Sequence, residues 1–371
     1  MAQTGSIRAG KAFVELFADD SKLVRGLRRA QARMRAFGAS VQNIGRKLLG
    51  LGAVAAAPLA LATKIFAGFE DQMLTVRGVT GSTEKQFKDL TEQAKLLGRT
   101  TSFTAKQVAE GMTSLGRAGF SPDEIQSAIP AVLNLARATG TELGEAADYA
   151  ANAVRAFGLR AGDTTMVADV LTATANGSAQ TLTDLAEAMS YVAPVAADAG
   201  ESIQSTSQAL GVLANMGIKG SMAGTTLRQM MLQFANPAVR ARLAELGVAA
   251  TDATGNLRPL GQVMQELGTV MAKMPNAERL ALADELFGKR AISGALKLGG
   301  SPEQMQQLAD AISKAGGAAE RTAKMMDSGL GGAFRMMMSA AEGVAIAIGK
   351  ALSGMISGWM GSVQKAAEMV S

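Results

Sequence analysis

Any chemistry done by this chain of 371 residues falls to carboxylates, Lys, Ser, Thr and Tyr, because the sequence holds no His and no Cys. Those two absences remove the Ser-His-Asp triad, the Cys-His dyad, the zinc finger and the imidazole metal site. They also exclude a small secreted fold stapled by disulfides. The acid pairs Asp123/Glu124, Glu142/Glu145 and Asp284/Glu285 come nearest to a glycosidase dyad. Each stands in a helix first turn or on a solvated face, where acids are expected anyway. The run from Gly217 to Thr226, with Gly220 and Gly224 inside it, superficially has the glycine density of a phosphate loop. No strand pattern precedes it, however, and Lys219 lies on the wrong side of Gly220-Ser221 for a lysine that reaches phosphate. It reads instead as a helix-to-helix turn ending at Gly220, with Ser221 capping the next helix. No catalytic, cofactor-binding or metal-binding residue is assigned, and the chain is not expected to be an enzyme.

Ala, Leu, Met, Gln and Glu fill the long segments, and these are strong helix formers. Aromatics make up only 4%, with one Trp (Trp359) and two Tyr (Tyr149, Tyr191), and alternating strand-type runs are almost missing. The expected fold is all-α, a multi-helix array with an N-terminal amphipathic heptad helix and an apolar helical C-terminal region.

Charge is unevenly placed. Residues 1–64 carry eleven Lys/Arg and three acids, so the basic balance of the whole chain resides there. Within that arm Leu23, Leu27, Ala30, Met34, Phe37, Val41, Ile44, Leu48 and Leu51 are spaced 4-3-4-3-4-3-4-3, a heptad seam. Ser21 stands as its N-cap, and eight cations between Lys22 and Lys47 occupy the other faces with no acid among them. Gly26, Gly38 and Gly45 each cost about 0.8–1 kcal/mol relative to Ala, so this helix needs a partner. Three partners fit: its own domain or a second copy, an acidic protein surface, or a membrane surface or nucleic acid. Missing interleaved aromatics weigh against nucleic acid.

Two apolar stretches follow. Leu48 to Thr63 is uncharged, is shorter than the roughly 20 residues a bilayer needs, and contains Pro58, read as a break. Gly343 to Gln364 is long enough but carries Lys350 near its centre, at about 2.5–3.5 kcal/mol in mid-bilayer. Both are read as buried helices, or as helices that enter a membrane only after a conformational change. Around them, the Met325-Met326 and Met336–Met338 clusters read as core filling, with an adaptable interaction surface as the alternative, and Gly329–Gly332 as a hinge.

The middle of the chain repeats itself. Thr104–Met112 and Thr181–Met189 share the pattern T-x-x-x-(V/L)-A-E-(G/A)-M, and Ala118-Gly119 before Ser121 answers to Ala199-Gly200 before Ser202. Val132-Leu133 matches Val212-Leu213, and Gly140 matches Gly220. Each unit predicts a Thr-capped helix, a glycine stop and a Ser-capped helix. Ser121-Pro122-Asp123-Glu124 is a capping box with Pro at the first helical position.

At this point the sequence resembles the core region of phage tail tape-measure proteins. The resemblance is carried by Phe69-Glu70-Asp71-Gln72-Met73 with Val76, Leu115–Phe120, Ala136–Gly140, Asn215–Arg228, and Leu286–Arg290 with Ala291 and Leu296, and it covers roughly 65–300. It implies a structural virion protein that sets tail length, nucleates the tail tube and leaves through the tail during DNA injection. The implied partners are the tail tube protein, tail assembly chaperones, tail-tip or baseplate proteins and further copies of itself in the tail lumen, with no specific nucleic acid. The implied location is host cytoplasm during assembly and then the virion tail lumen, with transient contact with a host membrane during injection. Family members usually continue into long helical ruler segments, whereas even a continuous helix of this chain's full length spans only about 560 Å. A truncated product, a degenerate prophage copy or the core of a protein split across genes is therefore expected. Three parts are expected: an arm and connector (1–64), a core (65–300) with two similar units (about 102–159 and 178–234), and a Gly/Met-rich helical region (301–371). The alternative reading is a membrane-active pore or DNA-injection protein that inserts its apolar segments.

Overall fold

The computed structural model describes residues 56–368, so the heptad arm lies outside the described residues. Among those residues there are sixteen α-helices and no strand. They run α1 (Ala56–Thr80), α2 (Glu84–Thr100), α3 (Ala105–Arg117), α4 (Pro122–Thr139), α5 (Leu143–Ala156), α6 (Thr164–Gly177), α7 (Leu182–Asp198) and α8 (Ile203–Asn215). There follow α9 (Gly220–Ala235), α10 (Pro237–Glu245), α11 (Leu260–Met271), α12 (Asn276–Phe287), α13 (Ile292–Gly299), α14 (Pro302–Ser313), α15 (Ala318–Met326) and α16 (Leu330–Glu368).

Local chemistry sets the boundaries of many of these helices. Thr83, Thr104, Ser121, Thr181 and Ser202 each form a capping box with the residue three positions on. The stops are as regular: Gly119, Gly140, Gly158, Gly200, Gly217 and Gly247 all take positive φ, a conformation in which other residues are strained. At Gly119 the Phe120 N–H returns to the Leu115 carbonyl at 3.0 Å, and at Gly200 the Glu201 N–H returns to that of Ala196 at 2.9 Å. Both are Schellman closures. In each of the triplets α3–α5 and α7–α9 the first helix packs on the third.

Pro58 is the third residue of α1 as described from Ala56, and the part of the first apolar stretch before Ala56 lies outside the described residues. One local reading changes. Ser221 does not cap the helix after the glycine run, whose N-cap is Lys219. The stop is Gly217 (φ +85°), Gly220 opens α9 with φ +55°, and Ser221 lies inside that helix, so the counterpart of Gly140 is Gly217.

One continuous core threads these helices. Phe69, Met73 and Val76 of α1 are buried at i, i+4 and i+7, and Leu115, Ile125, Ile129, Leu171, Leu185, Leu210, Leu227, Met264 and Phe287 join the same cluster. Small residues let backbones approach. A Cβ on Gly224 would lie 2.2 Å from the Ala188 carbonyl oxygen, so α7 and α9 meet at a distance that only Gly permits. Gly268 of α11 meets Gly299 of α13 just as closely. Residue 64 falls inside α1, residue 301 falls in the turn between α13 and α14, and Leu308 of α14 packs against Gly211 of α8.

Candidate functional surface

Each acid pair has a local structural task. Glu124 accepts the Ser121 N–H at 2.7 Å, and the hydrogen bonds from Ser121 hold its carboxyl below the usual glutamate range. Glu142 is the N-cap of α5 and accepts the Glu145 N–H at 3.2 Å. Glu285 pairs with Arg242 at 3.0 Å on the surface. At the glycine run, a Cβ on Gly220 would meet the Glu187 carboxylate at 2.5 Å, so an anion already stands at the start of α9 where a phosphate would sit. Among the described residues no cluster of three or more His, Cys, Asp or Glu has a metal-binding arrangement. An open groove between α5 and α7 is lined by Tyr149, Asn152, Arg155, Met189, Ser190 and Pro194. Its one charged group, Arg155, lies over the Phe120 ring at 5.5 Å.

The feature with most exposed consequence is the C-terminal pair α15–α16. Asp169, a buried residue of α6, accepts the Gly317 N–H at 2.7 Å and the Ala319 N–H at 2.9 Å, the free donors at the start of α15. Arg137 of α4 holds the other end, with Nε 2.6 Å from the Asp327 carboxylate and a second nitrogen 2.8 Å from the Met326 carbonyl. Arg335 of α16 reaches the same carboxylate at 3.2 Å. A nine-residue helix is thereby clamped at both ends by charged groups from the core.

Beyond the clamp, α16 lies against α1 and α2. The Ser339 hydroxyl is buried against the Gly98 and Phe103 carbonyls, Ile346 is buried, and Gly349 touches Phe66 and Ala62 so closely that no Cβ would fit. Glu342 accepts the Lys106 N–H at 3.3 Å, at the start of α3. Burial pushes its carboxyl above the usual glutamate range, and bonds from Lys106 and Thr104 only partly oppose that.

Away from these contacts, α16 between Leu330 and Gly354 is largely uncovered. Leu330, Phe334 and Met338 are 65%, 57% and 53% exposed, and Met325 at the end of α15 is 73% exposed. Residues 330–354 form the one described helix segment long and apolar enough to cross a membrane, with 17% of its most apolar window buried. That property is one of length and composition, and the second apolar stretch of the sequence reading ends inside this helix.

The motifs that carried the resemblance are packing motifs. Phe69 to Val76 supplies the buried stripe of α1, Gly116 fits against Val79 and Thr80, and Arg137 is the clamp. Gly224 makes the α7–α9 approach, and Phe287 meets Phe234 edge to face at 5.7 Å. The description "Phage-related minor tail protein" fits residues 91–288, more than half of the chain, from within α2 to the end of α12. The chain belongs to the phage tail tape-measure family. It is similar to the tape measure protein of Pneumococcus phage Dp-1, with 36% identity over 88% of this chain and 29% of that protein. It is also similar to the probable tape measure protein of Escherichia phage P2, with 31% identity over 91% of this chain and 42% of that protein. The chain therefore spans less than half the length of either tape-measure relative. No solved structure matches it. Family membership makes it a phage tail protein with a structural role.

Proposed function

We propose that this chain is the folded, helix-rich part of a tape measure that sets tail length and nucleates tail-tube polymerisation. The observation that carries the reading is the similarity to two tape-measure proteins over nearly nine-tenths of this chain or more. The arrangement adds physical support: outward helical surface is extended, and one carboxylate of each acid pair is occupied in capping or in an ion pair. The partners are the tail tube protein, the assembly chaperones, the tail-tip or baseplate proteins and further copies of the chain. The chain works in host cytoplasm during assembly, then in the tail lumen, and leaves through the tail with the DNA. It acts as three parts, an arm (1–64), a core (65–300) with two similar units (about 102–159 and 178–234), and a C-terminal helical region (301–371), and it is not an enzyme.

Deleting the coding sequence from the producing phage tests this. Electron microscopy should show heads with no tails or with tails of unset length, restored by supplying the chain in trans. Normal tails in the deletion would refute the reading.

A second reading rests on the uncovered apolar helix at 330–354: it inserts into a host membrane during injection. Co-sedimentation with neutral and anionic liposomes, lost on deleting 340–364, would support insertion. No binding to either liposome would remove it.

A further inference from the structure

We propose that the heptad segment 23–51 packs along the uncovered flank of α16 in the same chain. The contact side of α16 is marked by Ser339, Glu342, Ile346 and Gly349, which face α1, α2 and α3. One residue earlier at each step, about 100° around the helix, stand Met338, Ala341, Ala345 and Ile348, with Phe334 before them and Leu352 after. Their spacing from Phe334 is 4-3-4-3-4, a heptad seam, and each of the six is exposed or half-buried. In sequence the same spacing continues to Met355 and Trp359.

The N-terminal segment offers the complementary half. Its nine seam residues repeat every 4 and 3 over residues 23–51, about 42 Å of helix, against about 38 Å from Phe334 to Trp359. Chain path brings the two together. Ala62 and Phe66 of α1 touch Gly349, so Ala56 lies only about 9–15 Å along the helix from that contact, and a segment ending at Leu51 is tethered within reach of α16.

Charge selects between occupants. A second copy of the segment would set its eight cations against eight more, with no acid to offset them. From Phe334 to Trp359, α16 carries only Arg335, Glu342 and Lys350, a near-neutral apolar surface that a basic helix can cover while its cations stay in water. The competing occupant is α16 of a second copy.

The test uses the full chain, with hydrogen exchange read by mass spectrometry and molar mass read by light scattering. The double variant Met34→Asp/Val41→Asp breaks the seam, and Ala32→Asp puts one charge on the opposite face of the same segment. Docking predicts a monomer whose 330–354 amides exchange at least tenfold faster in the double variant, with α7–α9 unchanged and Ala32→Asp like the parent. Ala345→Asp on α16 should release residues 23–51 in turn. Protection of 330–354 that is absent in the parent, or unmoved by the double variant, overturns the proposal. A dimer whose α16 protection disappears on dilution overturns it in favour of a second copy.

Discussion

Asp169 and Arg137 hold opposite ends of one short helix, and neither is near it in sequence. Asp169→Ala leaves the Gly317 and Ala319 donors without their acceptor, so urea denaturation should show a loss of about 1–3 kcal/mol. Gly224→Val drives a side chain into the Ala188 carbonyl, with an expected loss of about 1–3 kcal/mol or failure to fold, read from the same curves. Glu342 gives a pH signature. The folded state keeps this proton at pH values where the unfolded chain has lost it, so stability falls as pH rises from the ordinary glutamate range through the raised value. Glu342→Gln should flatten that part of the stability–pH curve and stabilise the protein near neutrality. At this scale the caps at Thr104, Ser121, Thr181 and Ser202 were legible, because each box closes within three residues. Asp169 was not, because its partners lie 148 and 150 residues away.

Among the elements, α16 depends on contacts made before and along it. Removing the Arg137 fork by Arg137→Ala leaves both Asp327 and the Met326 carbonyl to Arg335, whose contact with that carbonyl is the longer one at 3.5 Å. Hydrogen exchange should then accelerate over α15 and the first turns of α16, with α7–α9 unchanged. Equal acceleration everywhere would mean that the clamp serves the whole core. Helix type and approximate position could be read from Ala/Leu/Met-rich segments with caps and glycine stops. Ser221 misled because Gly217 and Gly220 lie three residues apart and both take positive φ, one closing a helix and one opening the next. Which flank of α16 would be uncovered depended on α1 and α2 approaching Gly349 and Ser339, which no local pattern contains.

For the whole molecule, the family motifs are the places where helices come closest or turn most sharply, so a resemblance in sequence reports a shared packing scheme. The acid pairs and the glycine run, which alone could have suggested catalysis, are absorbed by caps, a surface pair and Glu187. What the fold leaves outward is helical surface and one long apolar helix, suited to assembly. The central claim is that this chain contributes to a ruler. It is tested most directly by inserting about 54 helix-forming residues after Gly354, in α16 and away from the clamp at Gly317. About 15 turns keep the helix face in register and add about 81 Å. Electron microscopy of the resulting phage should find tails longer by about that amount. Well-formed tails of unchanged length would contradict the account.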